Sequence, residues 1–158
     1  MSFNELIGSF ADEVGLELTA LDGAGALHLD FNGMTVSFFE TGDASRLLLV
    51  GEIGRIPSSG AEIFCRVMLR SMFLDGMASG ATFSISPESD RAFLQRREPL
   101  SELDPVRFKS VVESFVNELE KWRTALASFR PAAEEIGKAK AAETAEAREI
   151  EDNGFMRV

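Results

Sequence analysis

The chain has 158 residues, 45% of them hydrophobic and 27% charged, a length that suits one domain able to bury a core without disulfides or metal. Lysine and arginine number 16 against 26 aspartates and glutamates, a formal charge of −10 that repels a phosphate backbone and argues against nucleic acid as a partner. Cys65 is the only cysteine, which excludes an intrachain disulfide and a thiolate zinc site built within one chain, and fits a reducing compartment.

The opening stretch, MSFNELIGSFADEVGLEL, has no basic residue ahead of its apolar positions and places Glu5, Asp12 and Glu13 among them, unlike a secretory signal. Phe3, Leu6, Ile7, Phe10 and Val14 recur at spacings of three and four, the period of an amphipathic helix. Ser2 and Glu5 form a capping-box pattern at its start, and Gly15 stops it.

From residue 17 to 54 the period changes to two. Leu27, Leu29 and Phe31 alternate with His28 and Asp30, and Met34, Val36 and Phe38 alternate with Thr35 and Ser37, the pattern of half-buried strands. Asp22-Gly23, Asn32-Gly33 and Gly42-Asp43 fall between them, and Asn32-Gly33 is a strong two-residue hairpin signal because both positions favour positive φ. Leu47–Ile53 reads as a denser apolar strand. Its run Leu47–Val50 is the longest wholly apolar one, far short of the roughly 20 residues of a membrane span, so a cytoplasmic protein without membrane insertion is expected.

Pro57, Ser58 and Ser59 break the chain before a second helix, expected over about Gly60–Leu74 and apolar most of the way round. GMASG then links to two strands, Thr82–Ser86 and Ala92–Arg96, with Pro87 and Asp90 at the bend. Pro99 and Pro105 frame the approach to a last helix. From Phe108 its stripe of Val112, Phe115, Leu119, Trp122, Leu126 and Phe129 is long enough to cover a sheet, and Pro131 ends it. Helices segregated from an antiparallel sheet argue an α+β domain: five to six strands and three helices in the order α-β-β-β(-β)-α-β-β-α, over residues 1–130. Residues 131–158, rich in alanine and glutamate, read as an acidic tail, a solvated helix or disordered, with little core contact.

Chemistry-bearing patterns are scarce. There is no G-x-x-x-x-G-K-[ST], so the glycines of GDAS and GMASG read as turns. His28 could pair with Asp30 across one strand face, but a nucleophile would have to come from elsewhere. One histidine, one cysteine and scattered carboxylates offer no recurrent metal-ligand spacing, and Cys65 occupies an apolar helical position where a buried inert thiol is expected. No catalytic residue, metal or cofactor is assigned, and the chain is not expected to be an enzyme.

The element order resembles that of the class I type III secretion chaperones, the group that includes the Tir chaperone. Residues 47–57, LLLVGEIGRIP, resemble the family's fourth-strand segment with its Gly and Pro before the second helix. GATFSISPESDRAFLQRREPL at 80–100 is similar to its late hairpin, and FVNELEKWR at 115–123 to its closing helix. The match is collinear over roughly residues 3–130. The resemblance implies a homodimer that holds the N-terminal segment of a secreted effector in extended form and keeps it secretion-competent. The alternative is a regulatory or interaction module of the same fold with a non-effector partner.

Two residue sets follow. The amphipathic first helix and the alternating strands make Phe3, Leu6, Ile7, Phe10, Phe31, Met34, Val36 and Phe38 the candidate client-binding residues, since apolar stripes beyond what one core needs mark interaction sites. The second helix, too apolar for one sheet face, and the strand before it make Leu47, Leu49, Ile53, Ile63, Phe64, Val67, Met68 and Met72 the candidate dimer interface.

Overall fold

Asn32 and Gly33 turn the chain with φ of 54° and 82°, and the Asp30 carboxylate accepts the Gly33 N–H at 2.8 Å, so the strands on either side pair directly as Phe31 with Met34. This is the hairpin that the dipeptide predicts, because its twist suits the strands it joins. The computed structural model describes residues 1–20, 25–42, 45–77, 79–131 and 144. Asp22-Gly23, Asp43 and nearly all of the expected tail lie outside the described residues.

The elements run α1 (Phe3–Val14), β1 (Thr19–Ala20), β2 (Ala26–Phe31), β3 (Met34–Thr41), β4 (Arg46–Arg55), α2 (Ala61–Ser71), β5 (Thr82–Ile85), β6 (Arg91–Pro99) and α3 (Pro105–Ser128). The six strands form one antiparallel sheet in the order β1-β2-β3-β4-β6-β5, within the α+β class expected. The starts of α1 and α3 have a local cause. The Ser2 hydroxyl accepts the Glu5 N–H while the Glu5 carboxylate accepts the Ser2 N–H, and those hydrogen bonds hold the Glu5 carboxyl below its usual range. At α3, Asp104 accepts the Arg107 N–H and Pro105 stands at the first turn, where its missing N–H costs nothing. The helix therefore begins three residues before the apolar stripe does.

Two other boundaries differ from expectation. β6 extends to Pro99 rather than stopping at Arg96, because Leu47, Leu48 and Leu49 of β4 continue to pair with Glu98, Arg97 and Arg96. α2 ends at Ser71, and a 3-10 turn at Phe73–Asp75 carries Leu74 at φ 51°. Only Phe64 and Met68 of α2 are buried; Glu62, Arg66 and Arg70 face solvent, so the helix is half covered rather than apolar all round.

Side chains opposite one another in an antiparallel sheet share a face. One face carries Leu29, Val36, Phe38, Leu47, Leu49 and Leu94, all with essentially no exposure, and the helices close over it. Phe108 of α3 meets Phe10 of α1 edge-on at 5.3 Å and lies 6.0 Å from Phe38 of β3, so one ring joins three elements. Trp122 is edge-on to Phe83 at 4.7 Å and to Phe64 at 6.4 Å, and Phe64 also meets Phe129, which ties β5 and α2 to the end of α3. Where β6 leaves the apolar region, Arg96 donates to Glu98 at 2.7 Å and to Ser114 of α3 at 2.9 Å, satisfying a carboxylate that burial would otherwise penalise.

Gly51 sets how closely α3 lies on the sheet. A Cβ at this position would collide with the end of the Leu119 side chain, which is fully buried. Gly51→Val is expected to destabilise the fold by about 1–3 kcal/mol through overpacking. The double variant with Leu119→Ala should lose less stability than the two single variants summed, a sign of direct coupling measurable by a denaturation double-mutant cycle.

Candidate functional site

The eight candidate client residues do not form one surface. Phe3, Leu6, Ile7, Phe10, Val36 and Phe38 are at most 6% exposed, and Met34 is 9% exposed; all seven belong to the core. Their alternation marks the covered face of the sheet and the stripe of α1 that covers it. Phe31 alone among the eight is half-buried. The candidate dimer residues divide similarly: Leu47, Leu49, Ile53, Phe64 and Met68 are core, Ile63 and Met72 are partly exposed, and Val67 is 46% exposed. The buried residues fill the chain's own interior, so the available apolar surface must be sought elsewhere.

Three surfaces remain. The first is at the end of α2. Leu69, Phe73 and Leu74 are 64%, 74% and 84% exposed, and Val67 and Ile85 are nearly half exposed. Leu74 adopts the left-handed region, which costs a non-glycine residue on the order of 1 kcal/mol. Sequence reading placed Met72 and Val67 here but passed over Leu69, Phe73 and Leu74, because helical periodicity extended through Leu74 hides the break at Met72.

The second is a groove of about 580 Å³ between α1, α3 and the β2–β3 hairpin, lined by Phe10, Val14, Phe31, Met34, Val116 and the acidic pair Glu113 and Glu120 among others. Phe10, Phe31 and Met34 thus do converge, with Phe31 the most open of the three. Leu16 forms one wall.

The third lies on the other side of the sheet. His28, Ser37, Phe39, Leu48, Val50 and Phe93 face away from the helices, and all are partly exposed. A groove of about 730 Å³ crosses this face, and Leu16 belongs to its wall as well. His28 Nδ1 is 2.8 Å from Ser37 Oγ on the neighbouring strand, while His28 Nε2 is buried with no hydrogen-bond partner among the described residues. Asp30 does not contact the ring: its carboxylate is committed to the hairpin turn. Leu16 at the sheet edge thus separates two grooves, one on each side. Neither lining includes a lysine or arginine.

Cys65 is partly exposed, and burial raises its thiol pKa, which keeps it protonated and unreactive at neutral pH. Among the described residues no group of three or more His, Cys, Asp or Glu side chains could hold a metal ion, and no helix is long and apolar enough to cross a membrane.

The family model described as "Tir chaperone protein (CesT) family" matches residues 5–123. A comparison with curated proteins finds no match. Among solved structures, the ExsC-ExsE complex has a chain 23% identical, with a TM-score of 0.66 over 84% of this chain and 99% of the other. The HopA1-SchA chaperone-effector complex gives 14% identity and a TM-score of 0.61, over 78% and 94%. The Yersinia pestis type III secretion chaperone SycH, solved with a fragment of YscM2, gives 16% and 0.60, over 77% and 99%. Such identities speak to the fold.

The division between core and surface is checkable. Phe38→Ser should cost about 3–5 kcal/mol by opening a cavity in the core, whereas Phe31→Ser, at the half-open rim, should cost less than half as much. Chemical denaturation of the two variants under the same conditions measures the contrast.

Proposed function

Since the chain belongs to the Tir chaperone protein family of type III secretion, we propose that it is a homodimeric chaperone that holds the N-terminal segment of a secreted effector in extended form. The observation that carries this reading is the grooved, one-sided sheet. Its helices cover one face, the short strand β1 forms an edge, and the grooves on either side of that edge share Leu16. A strand added at the edge gains main-chain hydrogen bonds while alternate side chains point to opposite faces. Of the residues marked in the sequence, Phe10, Phe31 and Met34 stay in this proposal as the wall of the 580 Å³ groove.

Dimerisation is assigned to the end of α2. Val67, Leu69, Phe73 and Leu74 are large apolar side chains in water, and each gains roughly 1.5–3 kcal/mol if fully buried by a second copy. A stable interface needs more than about 1,000 Å² in total, so further residues of α2 and the turn after it belong to it in this reading. Val67, Leu69, Phe73 and Leu74 are 46% to 84% exposed in the single chain, so a charge placed among them leaves the core intact.

Phe73→Asp combined with Leu74→Asp should convert a dimer to a monomer with little change in melting temperature, as sedimentation and thermal denaturation can show. Purification of the tagged parent from its native cell, with the bound chain identified by mass, should return a secreted polypeptide held through its N-terminal segment. A parent that sediments as a monomer at micromolar concentration and captures no secreted protein overturns the reading.

The tail is proposed to be an appendage of the folding unit. Phe129 packs on Phe64, and Pro131 reaches the helix start at Gly60, so the packed domain closes there. Deleting residues 132–158 should move the melting temperature by no more than a few degrees.

A further inference from the structure

We propose that the groove on the uncovered sheet face selects client segments carrying a lysine or arginine between apolar residues. The inference rests on the chaperone reading and adds the chemistry by which one groove would choose its occupant.

The floor of this groove is apolar where Leu16, Val50 and Phe93 line it, and three carboxylates, Glu17, Asp30 and Glu52, stand around it without a basic side chain in the lining. Only Glu52 has an ion-pair partner among the described residues, Arg91 beyond the rim. β1 pairs Thr19 with His28 and Ala20 with Leu27, and Glu17, two residues ahead of β1, lines the same groove as Asp30. Like charges lining one groove repel; both residues are exposed, and the hairpin hydrogen bond from the Gly33 N–H uses one oxygen of Asp30 only. A cation seated between them relieves the repulsion. The chain as a whole, at −10, also favours approach of a basic segment.

The geometry limits the occupant further. A segment added along β1 presents every second side chain to this face, which matches an alternating apolar and basic pattern.

Two short peptides test this, one alternating valine with lysine and one alternating valine with glutamate, titrated against the full-length protein by fluorescence anisotropy. The lysine peptide should bind the parent more tightly, and the double variant Glu17→Gln/Asp30→Asn, which keeps an acceptor for the Gly33 N–H, should lose about fivefold to tenfold of that affinity. The preference should shrink at molar salt, where the Debye length is about 3 Å. Val50→Lys should abolish binding of the lysine peptide while its circular dichroism matches the parent.

Equal affinity of the parent for both peptides, or an unchanged preference in the carboxamide variant, overturns the proposal. So does full lysine-peptide binding by a folded Val50→Lys protein. If Val50→Lys fails to fold, the carboxamide variant decides alone, because both its sites are exposed. Capture of a co-expressed secreted polypeptide by the carboxamide variant and the parent equally would overturn basic selection while leaving the chaperone reading standing; a parent that captures none overturns that reading itself.

Discussion

The fold depends on the seating of α3 against the middle of the sheet, where Leu119 occupies the space that a side chain at Gly51 would fill. Close approach there brings Phe108 within reach of Phe10 and Phe38 at one end and Trp122 within reach of Phe64 and Phe83 at the other. One helix thereby organises α1, α2 and both halves of the sheet through aromatic contacts, each worth about 0.5–1.5 kcal/mol beyond burial. Glycine at the contact lets the stripe of α3 act as a continuous core rather than as separate patches.

Covering one face so thoroughly leaves the other open, and the proposed binding surfaces follow from that asymmetry. The uncovered face keeps enough polar residues, among them His28, Ser37, Thr35 and Gln95, to remain wetted, while Leu48, Val50 and Phe93 give it apolar relief. The proposed role needs such a compromise: a surface apolar enough to bind and polar enough not to aggregate. A group of exposed apolar side chains lies instead at the end of α2, where the left-handed Leu74 and its neighbour Phe73 stand in solvent.

Most of the architecture was legible in the sequence because its periods are unambiguous. The capping box at Ser2, the Asn32-Gly33 turn and the stripe from Phe108 to Phe129 are local signals, and each gave its element. The errors were at ends decided by neighbours. β6 runs past Arg96 only because β4 is long enough to pair with it, and α2 stops at Ser71 although its apolar pattern continues.

Function was less legible, and the residue sets show why. Alternation identifies which side chains share a face, as Phe31, Met34, Val36 and Phe38 show, but it cannot say whether that face meets the chain's own helices or a partner. The same ambiguity put Leu47, Leu49, Phe64 and Met68 at an interface when they fill the core. By itself the sequence determined the elements, their order and the acidic character, since those arise from local periodicity and composition. Only the tertiary structure decided which face the helices cover, left Phe73 and Leu74 in solvent, and gathered Glu17, Asp30 and Glu52 around one groove, because burial and proximity arise from packing between residues far apart in the chain.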